Sequence, residues 1–213
     1  MAKMGRMITF EGGDGTGKTT QRKMLIEALN RYGIDVVSTR EPGGSEGAEQ
    51  IRRMLLTGAD DRWDAITEVL LFFAARRDHF VRLIRPALDA GKWVVCDRFA
   101  DSTLAYQGYG RGKIRDEIRQ LTRITLGDFK PDLTLILDID PRIGIGRTHN
   151  RDTDENRFEN IPLDFHDRLR EGFLTIARSE PERCVVIDAA QPEQAVHAEI
   201  MAKIAERLPL GTA

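Results

Sequence analysis

Phe10-Glu11-Gly12-Gly13-Asp14-Gly15-Thr16-Gly17-Lys18-Thr19-Thr20 is the stretch on which the fold turns. Its glycines let the backbone curl so that successive N–H groups converge on phosphate oxygens, and a helix starting at its end adds a positive terminus. Such a P-loop places Lys18 against the β- and γ-phosphates and gives Mg²⁺ the Thr19 hydroxyl. The flanks fit. Met7-Ile8-Thr9-Phe10 reads as a short buried strand, and Thr20 to Arg31 carries Met24, Leu25, Ala28 and Leu29 at helical spacing. A nucleoside triphosphate site formed by Gly12, Gly13, Asp14, Gly15, Thr16, Gly17, Lys18, Thr19 and Thr20 follows.

With 213 residues the chain is expected to form one domain, residues 1–213, large enough for a core without disulfides or structural metals. A net charge of −2 argues against a nucleic-acid surface or a membrane-binding patch as its main partner. Cys96 and Cys184 sit in apolar, strand-like runs and read as buried reduced thiols; the four histidines lack zinc-ligand spacing. The N-terminus has no signal-peptide pattern, and the longest apolar run, Val69 to Ala75, is far short of the ~20 residues of a membrane span. Cytoplasm is the expected compartment.

Strand-like runs at Met7–Phe10, Val36–Thr39, Trp93–Asp97, Leu133–Leu137 and Cys184–Ile187 alternate with helical patterns at Glu46–Leu56, Asp64–Ala90, Ile114–Leu126, Arg142–Thr148, Pro162–Ser179 and Pro192–Arg207. The alternation predicts an α/β protein with a five-stranded parallel sheet flanked by helices. Ligands of such sheets bind beyond the carboxyl ends of the strands, and charged and turn-forming residues collect there: Glu11-Gly12, Arg40-Glu41-Pro42, Asp97-Arg98, Asp138 and Asp188-Ala189. The polar interruption from Arg147 to Glu159 reads as a surface loop.

Asp97-Arg98 ends an apolar strand, where Asp97 suits Mg²⁺ or its waters and Arg98 a phosphate; a strand-end ion pair would look the same. The sequence continues Phe99, Ser102 and Ala105-Tyr106-Gln107-Gly108. Together with the P-loop, Thr39-Arg40-Glu41-Pro42-Gly43-Gly44, Leu71-Phe72-Phe73-Ala74-Ala75-Arg76 and Pro131-Asp132-Leu133-Thr134-Leu135, this series resembles the thymidylate kinase family, in the family's order and over nearly the whole chain. The resemblance implies a P-loop nucleoside-monophosphate kinase fold and Mg²⁺-dependent transfer of the γ-phosphoryl of ATP to dTMP in dTTP biosynthesis, by a homodimer.

The resemblance also assigns roles. Phe72 stacks on thymine and Arg76 bonds its carbonyl edge; the two are four apart and share a helix face, while Ile66, Val69, Leu70 and Phe73 are expected to carry that helix's core stripe. Arg98 and Arg52 hold the acceptor phosphate, Gln107 supports base recognition with Ser102 nearby, and Tyr106 lies against the deoxyribose. Glu41 and Pro42 line the same pocket, and Asp14 faces the sugar 3′-hydroxyl. Gly15 stands where some members carry an arginine, so arginines of a lid at about 147–159 take over its duty, Arg151 first and Arg147 second. Adenine is expected near Ala189 to Gln191.

Read without the family, Phe72 fits core packing, Arg52 a solvated helix charge and Tyr106 a tyrosine bonded to backbone. A deoxynucleoside kinase or another monophosphate kinase shares the P-loop and the strand-end Asp-Arg; a nucleotide switch or assembly ATPase shares only the loop.

Overall fold

The computed structural model describes residues 5–59, 61–112, 114–148, 162–208 and 210. Five parallel strands, β1 (Met7–Glu11), β2 (Val36–Arg40), β3 (Trp93–Asp97), β4 (Leu133–Asp138) and β5 (Cys184–Asp188), form one sheet in the order β2-β3-β1-β4-β5. The near-continuous apolar runs are what a sheet covered on both faces requires. Alternation then divides them. Ile8, Phe10, Val95, Leu135 and Ile187 pack with helices α1 (Lys18–Arg31) and α9 (Glu193–Arg207) on one side. Met7, Val94 and Cys96 face Phe80, Ile84, Leu88 and Leu126 on the other. Each fully buried Leu, Ile or Phe contributes roughly 1.5–3 kcal/mol relative to exposure, so the sheet faces can support less relaxed conformations in the strand-end loops.

The remaining helices are α2 (Glu46–Leu56), α3 (Ala65–His79), α4 (Arg85–Asp89), α5 (Ala100–Thr103), α6 (Arg115–Leu126), α7 (Pro141–Thr148) and α8 (Leu163–Ser179). The helical run expected over Asp64–Ala90 is present, but a wider π turn at Phe80–Ile84 interrupts it just before Pro86. Asp64 caps it by accepting from the backbone N–H groups of Ile66 and Thr67. A second π segment, Leu104–Gly110, continues α5 where the sequence pattern predicts no helix. It is held against α8 at close quarters: a Cβ on Gly172 would sit 2.6 Å from that of Tyr109.

The core stripe expected on α3 needs correction. Val69 and Phe73 are buried against Ile118 of α6, whereas Ile66 and Leu70 are 42% and 49% exposed. The helix lies between α2 and α6, so its outward face keeps an apolar strip that nothing in the chain covers among the described residues.

Candidate active site at the carboxyl edge of the sheet

β1 and β3 are adjacent, with Phe10 opposite Asp97, so the P-loop and Asp97-Arg98 emerge side by side. In the loop, the Lys18 ammonium donates to the carbonyls of Gly13 (2.6 Å) and Gly12 (3.1 Å) and lies 3.3 Å from the Thr16 hydroxyl. Burial, then the nearby Arg98 cation, push its pKa down to about 8. The Thr16 hydroxyl in turn donates to the Gly13 carbonyl. Thr19 and Thr20 are exposed at the start of α1, and the Thr19 hydroxyl is 3.5 Å from Asp97 Oδ2.

Arg98 joins the two strand ends. Its Nη1 donates to the Gly12 carbonyl (2.9 Å) and the Ser102 hydroxyl (3.2 Å), and its Nη2 to Asp14 Oδ1 (2.7 Å). Tyr106 donates to the other Asp14 oxygen at 3.1 Å, and the guanidinium lies 4.9 Å from the Tyr106 ring centroid. Burial opposes ionisation of Asp14, but Arg98 and Lys18 outweigh it and hold the carboxyl below its ordinary range. Arg98 adopts a left-handed backbone, φ 67°, a conformation that costs roughly 1–2 kcal/mol outside glycine. The buried Glu11 carboxyl group holds that turn, lying 2.7 Å from the Phe99 nitrogen and 2.5 Å from the Ser102 hydroxyl. Burial, with the Asp101 carboxylate next, pushes Glu11 up to about 8. Sequence reasoning gives Glu11 no task, although its position inside the motif puts it at a strand end. Ser102, expected near Gln107 and the base, bonds here to Arg98 and Glu11.

A second cluster lies between α3 and the Phe99–Gln107 segment. Arg76, 2% exposed, donates from Nε to Glu41 (2.7 Å) and from Nη2 to Thr103 Oγ1 (2.9 Å) and the Phe99 carbonyl (3.2 Å). Its Nη1 is buried without a hydrogen-bond partner. Glu41 also faces His79 Nδ1 at 3.1 Å, and His79 Nε2 lies 2.7 Å from Thr39 Oγ1, so the Glu41 side chain underpins Arg76. The Glu41–Pro42 peptide is cis, and the Pro42 carbonyl accepts from Arg52 Nη1 at 2.6 Å. Phe72 is half-buried one turn from Arg76, and Gln107 is buried with its amide donating to Glu68 at 3.0 Å.

Arg147, at the end of α7, reaches the Ala189 carbonyl at 3.4 Å, beside the turn expected to receive adenine. Arg151, Arg157 and the rest of the expected lid to 159 lie outside the described residues. A shallow cleft between the P-loop, the end of β4 and helices α7 and α8 is lined by Asp14, Asp138, His166 and Arg170 together with apolar side chains such as Leu137, Ile139 and Phe173. Asp138 accepts both arms of Arg170 at 2.7 Å, a pairing the sequence does not suggest. Among the described residues no group of three or more His, Cys, Asp or Glu side chains is placed to cage a metal. The Thr19 and Asp97 oxygens do suit a hard cation that keeps most of its waters and takes its remaining ligands from phosphates.

Comparison with known proteins places these features in company. The family model described as Thymidylate kinase matches residues 10–200. Thymidylate kinases of Caulobacter vibrioides and Magnetococcus marinus are 52% identical over 206 residues and 50% over 203. The alignments cover 97% and 95% of this chain and 99% and 97% of those proteins. The crystal structure of the Ehrlichia chaffeensis thymidylate kinase superposes with a TM-score of 0.78 at 39% identity, covering 94% of this chain and 99% of that one.

Proposed function

The chain belongs to the thymidylate kinase family, and we propose that it transfers the γ-phosphoryl of ATP to dTMP with dTMP held between α3 and the Phe99–Gln107 segment. The observation that carries the reading of the site is the buried Arg76 Nη1, a donor lacking a partner and four residues from Phe72. A carbonyl oxygen of a pyrimidine stacked on Phe72 would complete it, offsetting the roughly 1–3 kcal/mol that an unsatisfied buried donor costs.

In this reading Arg98 and Arg52 receive the acceptor phosphate and Asp14, steadied by Tyr106, accepts from the 3′-hydroxyl. Tyr106 fills the space beside C2′. The acceptor phosphate is largely ionised at neutral pH, so the chemistry needs alignment and charge stabilisation more than a base. Lys18 exchanges its loop carbonyls for phosphate oxygens, while Arg98, bonded to Gly12 and Asp14, keeps acceptor and donor in register. Mg²⁺ held through Thr19 and Asp97 would supply charge neutralisation between the β- and γ-phosphates. Gly12 to Thr20 cradle the triphosphate, and adenine rests near Ala189–Gln191 with Arg147 alongside.

The single-domain organisation is part of the same proposal; it is supported by a single sheet that gathers every strand of the described residues. A cytoplasmic site of action is supported by the free, buried cysteines. A homodimer is supported by the uncovered apolar strip Ile66, Leu70 and Val81, which Leu70→Asp would disrupt, halving the mass in solution. Turnover of dTMP against thymidine, dUMP, dCMP and AMP tests the function. Brisk phosphorylation of thymidine with none of dTMP would overturn it.

A further inference from the structure

We propose that Glu68 is a positioning residue that fixes which end of the Gln107 amide faces the acceptor base, and thereby selects a pyrimidine bearing N3–H. The inference rests on the assignment of the α3 cleft to dTMP.

Glu68, Phe72 and Arg76 recur every fourth residue of α3 and share a face. Thr103 and Gln107 are likewise four apart on the opposite helical run. The two rows meet at both ends: Arg76 Nη2 donates to Thr103 Oγ1 at 2.9 Å, and Gln107 Nε2 donates to Glu68 Oε1 at 3.0 Å. Phe72 stands between these contacts. A flat ring on Phe72 is therefore bracketed by Arg76 at one end and Gln107 at the other.

A primary amide has one donating and one accepting end, and nothing in glutamine itself decides which is turned where. Glu68 decides it. Its side chain is fully buried and ion-paired with Arg111 at 3.2 Å, so it presents acceptor oxygens only. The Gln107 NH₂ must face it, because the flipped amide would set carbonyl against carboxylate in a site where water cannot intervene. Gln107 Oε1 is left for the cleft. Thymine offers a donor at N3 and an acceptor at O4, which match Gln107 Oε1 and Arg76 Nη1. Cytosine offers an acceptor at N3 and a donor at its amino group, and opposes both. A site built to pair polar groups rejects the mismatched ligand more strongly than one built on apolar fit.

Glu68→Gln restores freedom to the Gln107 amide, since the new carboxamide has an NH₂ that can donate to Gln107 Oε1. The probe is 5-methyl-dCMP, which keeps the methyl, sugar and phosphate of dTMP. The expected result is a fall of about tenfold or more in the ratio of kcat/KM for dTMP over 5-methyl-dCMP, with KM for ATP unchanged. Equal losses for both nucleotides, leaving the ratio intact, would mean that Glu68 only braces the fold, and would overturn the proposal while leaving dTMP kinase activity standing. Unaltered protein without dTMP activity would overturn both. Arg111 is one-third exposed and can turn to water, so the variant should fold. If urea titration shows otherwise, combining Glu68→Gln with Arg111→Gln removes the unpaired cation, and the double variant is read by the same ratio.

Discussion

Raising the pH from 7 to 9 should weaken ATP binding through one residue, Lys18. Its ammonium is buried against backbone carbonyls and shares the site with Arg98, and burial and that cation together bring its pKa down to about 8. A triphosphate reverses the balance, because several negative oxygens favour the charged form, so binding above that pKa takes up a proton. If only the charged lysine receives ATP productively, about one-tenth of the free protein is competent at pH 9, and apparent affinity falls about tenfold from its value at pH 7. Titration calorimetry at pH 7, 8 and 9 in two buffers of different ionisation enthalpy reads both quantities. Proton uptake should rise towards about one per ATP as affinity falls. The arginines proposed to receive dTMP do not titrate in this range, so a change in dTMP binding over the same pH interval would report ionisation of Glu11 behind the Arg98 turn and not of Lys18. The same shift has a stability consequence with a definite sign. Between about 8 and the unfolded value of 10.5 the native chain holds fewer protons at Lys18, so stability gains from this residue as pH rises through that window. An ATP affinity that is flat to pH 9, with heats independent of buffer, would refute the argument.

Arg76→Ala should raise KM for dTMP while leaving KM for ATP nearly unchanged; equal losses for both substrates would contradict a base contact. It should also destabilise the protein by about 3–5 kcal/mol, because Glu41 is left buried beside His79 with its main counter-charge gone, a loss measurable by urea denaturation. Glu11→Gln should change the pH dependence of stability. Burial raises Glu11 from 4.5 to about 8, so its contribution is fully present below 4.5 and is lost as pH rises through 8. Unfolding midpoints should therefore drop less in the variant than in the unaltered protein between pH 5 and 8; identical drops would show that Glu11 is ionised throughout.

Much of this site is legible in the sequence because its parts are local. The P-loop is a run of backbone geometry written in consecutive residues, and the strands can be placed because a doubly covered sheet demands apolar runs. Phe72 and Arg76 share a face by helical arithmetic alone. What escapes are choices made by distant neighbours. Nothing near Glu41 says that its carboxylate lies under Arg76 and His79, 35 and 38 residues away. The left-handed turn at Arg98 depends on Glu11, 88 residues before the Phe99 N–H that it binds. The segment Leu104–Gly110 has little intrinsic helical preference and takes its form from α8. Ile66 and Leu70 mislead for the opposite reason: their spacing is that of a core stripe, and a lone sequence does not distinguish a covered face from one left exposed in the chain.

Gly15 occupies a position where an arginine is expected in some relatives, and the backbone around it explains why none fits here. Its φ is +73°, and a Cβ there would lie 1.9 Å from the carbonyl oxygen of Gly144 in α7. Gly144 is under the reciprocal constraint, since its own Cβ would come 2.5 Å from the Asp14 carbonyl. Loop and helix thus meet backbone to backbone, each residue enforcing the smallness of the other. For lineages this is a lock with two keys: an arginine at 15 is blocked until α7 has moved away, and a larger residue at 144 is blocked while the loop stays where it is. Passage between a kinase with its arginine in the P-loop and one without it would therefore require coordinated change at sites nearly 130 positions apart, rather than a single substitution.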